Sequence, residues 1–257
     1  MIDLAGASAL VTGGSGGIGS AVARRLIAAG AAVVIADIDS HDGPAIAAQL
    51  GAEFVHTDVG RPQDLVAAVA AAEERAPLGF VHLNAGVSST AQLEDIDEAL
   101  YQRALRVNLD GVFWGIRAAV PALRRAGGGA IVATSSLAGL APQTADPIYS
   151  ATKSAVIALV RALGPTLREE GVRLNCVCPG FADTPMVPDA IRAAGFPLLT
   201  ADEVAGAVLS IASTDTDSQA YVLQPGRELA PYRFHGVPGA RVAGHDVSAV
   251  VPEASWR

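Results

Sequence analysis

The sequence predicts an α/β fold: a doubly wound, seven-stranded parallel sheet with helices on both faces. Three observations carry that prediction. Short apolar runs alternate with Ala-rich helical stretches from Ala9 to Leu223, the order that builds parallel sheets from strand–helix–strand units. The strand segments are continuously apolar, as expected where both sheet faces are covered. Hydrophobic residues make up 51% of the 257-residue chain and charged residues 17%, which suits a large core and not a disordered chain.

The elements follow in order. Ala9–Val11 reads as a strand, Ile18–Ala29 as a helix ended by Gly30, and Ala32–Ala36 as the second strand. Gly43–Leu50 is predicted helical, Phe54–His56 a strand, Leu65–Arg75 a helix and Phe80–Leu83 the fourth strand. A long helical stretch runs from Ile96 to Leu123, with Pro121 marking a bend or terminus. Ala130–Thr134 is the fifth strand, and Tyr149–Glu170 a second long helix with a bend expected at Gly164-Pro165. Val172–Val177, the helix Ala201–Ala212 and the strand Ala220–Leu223 complete the alternation. No linker or repeat divides the chain, so residues 1–257 read as one domain with an irregular arm over about 227–257.

Charge and composition exclude several classes. The net charge is −8, and the longest basic blocks are the pairs Arg24-Arg25 and Arg124-Arg125 near helix C-termini, so no nucleic-acid footprint is present. The best candidate span, Ala28–Ala36, is closed by Asp37 and falls short of the roughly 18–20 apolar residues a membrane crossing needs. Met1-Ile2-Asp3-Leu4 lacks the basic start of a secretory signal, and a cytoplasmic protein without membrane contact is expected. Cys176 and Cys178 are neighbours in a strand, poorly placed to bridge. The five histidines lack metal-ligand spacing, so buried thiols and no metal site are expected.

The first strand runs into Thr12-Gly13-Gly14-Ser15-Gly16-Gly17-Ile18-Gly19, which opens the first helix. Glycines there let the backbone turn sharply and approach a pyrophosphate seated on the positive helix N-terminus. Such a turn alone is common; between a strand and a helix it is the fingerprint of a Rossmann-like dinucleotide fold. No Lys follows the glycines, which excludes a P-loop. Asp37 ends the second strand 18 residues after Gly19. A carboxylate there can accept from both adenosine ribose hydroxyls and repels a 2′-phosphate, which points to NAD. An ordinary turn aspartate is the bland alternative.

Tyr149 and Lys153 lie four apart on one helix face. An ammonium beside a phenol stabilises its anion, so the pair is expected to lower the tyrosine pKa and supply a general base for an alcohol. Ser136 ends the fifth strand, 13 residues before Tyr149, and should face the crevice at the carboxyl ends of the strands. An exposed helical pair is the usual meaning of Tyr-x-x-x-Lys taken alone.

Together these stretches closely resemble the short-chain dehydrogenase/reductase family, from about Ala5 to Pro185 and more weakly through the seventh strand. Thr12-Gly13-x-x-x-Gly17-x-Gly19 looks like the family's cofactor loop, and Asp58-Val59 like its adenine-contacting pair. Asn84-Ala85-Gly86 matches its fourth-strand motif with Leu83 in place of the first Asn, and Asn108 resembles the tetrad asparagine. Ser135-Ser136, Tyr149-x-x-x-Lys153 and Pro179-Gly180-x-x-x-Thr184 complete the set, and the spacing to Tyr149 selects Ser136. The resemblance implies hydride exchange between a secondary alcohol or ketone and NAD. Tyr149 would exchange the proton and Ser136 hydrogen-bond the oxygen; Lys153 would hold the nicotinamide ribose, and Asn108 support a water. The cofactor contacts implied are Gly13, Ser15, Gly17, Ile18, Gly19, Asp37, Ile38, Asp58, Val59, Asn84, Ala85, Gly86, Tyr149, Lys153, Pro179, Gly180 and Thr184.

Departures lie at the C-terminal side: Ser218-Gln219 precedes the seventh strand and Gln224-Pro225-Gly226 follows it. Pro185–Leu199 is expected to form a substrate lid with apolar Met186, Val187, Ile191, Phe196, Leu198 and Leu199, although core packing explains those residues equally well. A hydrophobic or steroid-like alcohol or ketone is the expected partner, in a homodimer or homotetramer built on the two long helices. The alternatives are a 3-oxoacyl-carrier-protein reductase, which Asp37 and the acidic charge oppose, and a catalytically silent NAD-binding regulator, which intact Ser136, Tyr149 and Lys153 oppose.

Overall fold

In a computed structural model of the chain, residues 4–89, 91, 93–236, 241–242 and 245–246 are described, the last four by their backbone alone. The apolar strand runs are explained by two separate cores, one on each side of the sheet. In β1 (Ser8–Thr12), Ala9 and Val11 face one core while Leu10 faces the other. β2 (Ala32–Asp37) divides in the same way, Val33 and Ile35 against Val34 and Ala36. The first core is closed by α1 (Gly17–Ala28), through Val22 and Leu26, and by α8 (Ala201–Ser213), through Val204, Val208 and Ile211. The second is closed by α3 (Pro62–Arg75), α5 (Gly111–Arg125) and α6 (Pro147–Glu169), with Val69, Ile116, Leu123, Val156 and Val160 among the buried contacts.

The remaining strands are β3 (Glu53–His56), β4 (Leu78–Leu83), β5 (Gly129–Thr134), β6 (Val172–Pro179), β7 (Ala220–Leu223) and β8 (Ala230–Pro231). They lie in the order β3-β2-β1-β4-β5-β6-β7-β8. β1 to β7 are parallel, as predicted, and β8 adds an antiparallel edge, with Val222 opposite Ala230 and Tyr221 opposite Pro231. The arm thus contributes an eighth strand that the sequence did not reveal, and Pro231 suits an edge that needs no further N–H. Beyond it, β9 (Arg241–Val242) pairs with β10 (His245–Asp246). The rest of the arm beyond residue 236 lies outside the described residues.

Two helices start earlier than predicted because proline occupies the first turn: α3 at Pro62 and α6 at Pro147. Proline's missing N–H costs nothing there. The predicted helix Ile96–Leu123 is in fact α4 (Glu98–Leu105), a π-helical stretch over Arg106–Asp110, and α5. Asp97 caps α4 by accepting from the Leu100 N–H at 2.7 Å. Both long helices continue past their prolines, Pro121 and Pro165. α2 (Gly43–Leu50) and the short α7 (Asp189–Ala193), inside the predicted lid, complete the helices. The chain winds outward from β1 in both directions, so the crevice between β1 and β4 at the carboxyl ends is the switch point where such sheets bind ligands.

Candidate active site

Where β1 runs into α1, three positions admit only glycine. Gly13 has φ +61°, and a Cβ there would lie 2.9 Å from the Ala85 Cα. A Cβ on Gly14 would lie 2.7 Å from the Ile35 side chain, and one on Gly19 would overlap the Gly13 carbonyl oxygen. Gly16 is the N-cap of α1; among the described residues no side chain caps that end, and its first turn carries no acid. Backbone donors and the helix dipole therefore face the crevice uncompensated, which fits the diphosphate of a dinucleotide. The Ser15 hydroxyl points elsewhere: it is buried near Gly43, without a hydrogen-bond partner among the described residues.

Asp37, at the end of β2, is tied to the same loop. Its Oδ2 accepts from the Ser15 N–H at 2.9 Å and its Oδ1 from the Asp39 N–H at 3.1 Å. Ile38 beside it is 63% exposed. Asp58, after β3, accepts from the Gly60 N–H at 2.9 Å and from Arg106 at 3.1 Å, while Val59 is buried against Gly111.

A buried polar path joins the cofactor loop to the catalytic helix. The Asn84 N–H and the Ala85 N–H donate to Thr12 Oγ1 at 2.9 and 3.2 Å, and Asn84 Nδ2 donates to the Gly13 carbonyl at 3.2 Å. Thr134 Oγ1 donates to Asn84 Oδ1 at 3.3 Å and is 2.9 Å from His82 Nε2. Lys153 Nζ, fully buried, donates to the Thr134 carbonyl at 2.8 Å. Gly86 lies beside it, since a Cβ there would be 3.4 Å from Lys153 Nζ and from Asn108 Oδ1. Asn108, in the π-helical stretch, spends its side chain on Val87: Oδ1 accepts from the Val87 N–H at 2.8 Å, and Nδ2 donates to the Val87 carbonyl at 2.9 Å and to Thr152 at 3.2 Å.

Ser136 lies near the Tyr149 side chain, close enough to favour ionisation of the phenol. Ser136 Oγ also accepts from the Ala138 N–H at 3.1 Å. The acidity of Tyr149 differs from the expectation. Burial pushes the phenol above its ordinary value, and the Ser136 contact only partly offsets this. The reason is geometric: Lys153 Nζ sits 5.5 Å from the tyrosine ring centroid and is bound to Thr134. Burial also brings Lys153 itself down to about 8.

Pro179 and Gly180 end β6, and the Gly180 N–H donates to the Leu223 carbonyl at 2.9 Å. The Thr184 methyl lies over the start of α1, 3.3 Å from where a Cβ on Gly17 would be. In the predicted lid, Arg192 of α7 donates to the Thr184 carbonyl at 2.6 Å and pairs with Asp183. Phe181 packs edge-on against Phe196 at 5.5 Å. The two cysteines are free and buried, as expected, and the Cys178 thiol contacts Ser135. The structure thus brings the predicted residues to one edge of the sheet, from Asp58 beyond β3 to Thr184 beyond β6.

Residues 7–194 match the short chain dehydrogenase family. The chain belongs to that family. Among curated relatives of this short-chain dehydrogenase, 3-alpha-(or 20-beta)-hydroxysteroid dehydrogenase of Mycobacterium tuberculosis is 42% identical over 73% of the chain and 75% of the relative. Trans-4-hydroxycyclohexanecarboxylate dehydrogenase of Sinomonas cyclohexanicum is 36% identical over 93% and 94%. A crystal structure of 3-ketoacyl-(acyl-carrier-protein) reductase from Brucella melitensis, complexed with NADH, superposes with a TM-score of 0.81 at 27% identity, covering 87% of the chain and 99% of that structure. The dehydrogenase is therefore an oxidoreductase of the nicotinamide-using class, and no helix among its described residues is long and apolar enough to cross a membrane.

Sequence reasoning missed Asp146, Thr134 and His82. Asp146 caps α6 by accepting from the Tyr149 N–H at 3.1 Å. Asp-Pro before a helical run is a readable start signal. Starting the helix at Tyr149 hid it.

Proposed function

We propose that this short-chain dehydrogenase interconverts a secondary alcohol and its ketone with NAD, on a hydrophobic alicyclic substrate. The reading rests chiefly on Tyr149 standing one helical turn from buried Lys153, whose Nζ is 5.5 Å from its ring, with Ser136 near the phenol. The glycine loop, Asp37, Asn84–Gly86, Thr184 and Lys153 would hold the cofactor, which supplies a hydride acceptor or donor when bound. Ser136 Oγ fixes the substrate oxygen, and Tyr149 Oη takes the hydroxyl proton in oxidation or returns it in reduction. Lys153 holds positive charge behind the phenol only while it stays protonated. Asn108 keeps Val87, and with it the segment after β4, in place. NAD rather than NADP is favoured by the Asp37 carboxylate, whose charge a 2′-phosphate would have to approach.

The substrate class is supported by the apolar Phe181–Phe196 pair and by exposed Met186 in the same segment after β6, and by relatives named for hydroxysteroids and hydroxycyclohexanecarboxylates. The reductase neighbour supports a second reading, turnover of a 3-oxoacyl thioester. Reduced-nicotinamide absorbance with a hydroxysteroid, a hydroxycyclohexane and a 3-oxoacyl thioester separates the two. Tyr149→Phe should lower kcat by at least about a hundredfold, since general acid–base catalysis contributes ~10²–10⁴, while calorimetry still shows NAD binding. A folded Tyr149→Phe enzyme with near wild-type turnover overturns the assignment.

A further inference from the structure

Asp146 is a carboxylate that the proton transfer above does not use, yet it is 5% exposed and gathers donors from two walls of the crevice. From the catalytic helix, the Tyr149 N–H donates to Oδ1 at 3.1 Å. From the segment after β4, the Ser88 hydroxyl and the Ser89 N–H donate to Oδ2 at 2.7 and 3.0 Å, and the Ser89 hydroxyl donates to Oδ1. The backbone of Asp146 is held as well, its carbonyl accepting from the Ser150 hydroxyl at 3.0 Å, which in turn accepts from the Gln143 N–H at 3.0 Å.

Helix capping alone does not require this arrangement. Asp97 caps α4 from an exposed position through the Leu100 N–H. A buried carboxylate is costly unless donors surround it, and among the described residues three of the donors to the Asp146 carboxylate come from positions 57 or 58 residues away. The same segment is fixed at its other end by Asn108 on Val87. Val87–Ser89 is therefore clamped between the π-helical stretch and the start of α6.

We propose that Asp146 is a positioning residue that locks Val87–Ser89 onto the first turn of α6, so setting the gap between the substrate wall and the Tyr149 hydroxyl and fixing a negative charge behind the phenol. This rests on Tyr149 acting in proton transfer. Four groups bear on that phenol. Ser136, after β5, pulls its pKa down; Asp146, at the head of α6, and Cys178, on β6, push it up; Lys153 lies one turn along α6. Removing the Asp146 charge makes the phenol easier to ionise.

The test compares Asp146→Ala, Asp146→Asn and the double variant Ser88→Ala/Ser89→Ala with wild type. Measurements are the pH profile of alcohol oxidation, NAD affinity by calorimetry, and amide hydrogen exchange over residues 84–89 and 146–153. Asn caps helices as well as Asp does, so Asp146→Asn, with its one oxygen kept on the Tyr149 N–H and the Ser89 N–H left without its acceptor, should keep α6 capped and move the rising limb of kcat to lower pH. Asp146→Ala should lose about tenfold or more in kcat with NAD affinity unchanged, and exchange should rise in both segments together. The double variant should raise KM for the alcohol more than it lowers kcat. A merely structural role would lower thermal stability and leave the pH limb in place. An unmoved limb in Asp146→Asn, or faster exchange confined to residues 146–153, overturns the proposal; if Asp146→Ala fails to fold, the other two variants decide. Absence of turnover in wild type overturns the activity reading, and hydrogen exchange then judges the clamp by itself.

Discussion

Replacing Asp37 by Ser should collapse the preference for NAD. The wild-type carboxylate receives one backbone N–H on each oxygen, Ser15 at 2.9 Å and Asp39 at 3.1 Å. It is thereby oriented, and each oxygen keeps acceptor capacity for a ribose hydroxyl. With NADP one hydroxyl is replaced by a phosphate, and a charged hydrogen bond worth about 1.5–3 kcal/mol is lost. Repulsion between the two anions adds about 1–2 kcal/mol at an effective dielectric near that of a protein surface, once discounted for the half-exposed site. The sum, roughly 2.5–5 kcal/mol, corresponds to a preference of about sixtyfold or more in kcat/KM. Ser removes the charge and can satisfy fewer of the two backbone donors. The NAD value should therefore fall while the NADP value rises, bringing the ratio below about ten on the same arithmetic. Ile38→Arg, at an exposed neighbouring position, should narrow it further by offering the phosphate a partner. Initial rates with both cofactors at matched ionic strength measure the ratio. Equal efficiency in wild type, or an unchanged ratio in Asp37→Ser, refutes the reasoning.

Two further outcomes are expected. Burial holds His82 near pKa 3 against about 6.5 when unfolded, so between those values the unfolded chain binds the extra proton. His82 therefore contributes stability that is complete above pH 6.5 and is lost as pH falls toward 3, at up to about 1.4 kcal/mol per unit. His82→Leu should flatten that limb in urea unfolding; an equal stability difference from wild type at pH 7 and pH 4.5 would refute this. The long helices α5 and α6 expose apolar side chains or carry alanine at close-approach positions, among them Phe113 at 37% exposure. Light scattering should show a dimer or tetramer at micromolar concentration, and monomer alone would contradict it.

Much of the architecture was legible because a doubly wound sheet writes itself into sequence twice, as apolar strand runs and as glycines where the backbone must approach itself. Gly13, Gly14 and Gly19 each meet backbone or a packed side chain, a requirement independent of the rest of the fold. The site residues were legible because they stand at strand ends and on one helix face. What escaped depends on three-dimensional placement. The π-helical stretch at Arg106–Asp110 keeps the same apolar period as the helices beside it, and β8 has only two residues. His82 sits inside an apolar strand, and its role becomes visible only through Thr134 in a strand 52 residues away. Asp146 was overlooked because its partners Ser88 and Ser89 come from another loop.

The acidity of Tyr149 marks the sharpest divide between spacing and structure. Four residues of separation place Lys153 on the same face, but the ammonium's own burial turns it toward the Thr134 carbonyl. The same burial acts oppositely on the two groups, because it penalises the charged form of each: Lys153 falls to about 8, while the phenol rises. Spacing alone therefore does not make Tyr149 a ready base: burial raises the phenol while it lowers the ammonium beside it. A working base requires that the ammonium be kept charged, which means giving its Nζ acceptors beyond the one carbonyl it has. Ribose hydroxyls would be such acceptors, and Gly86, where a Cβ would stand 3.4 Å from Lys153 Nζ, leaves no side chain beside that nitrogen. On the proposed function, binding of the cofactor and activation of the phenol would be one electrostatic event, with Lys153 as the group that couples them.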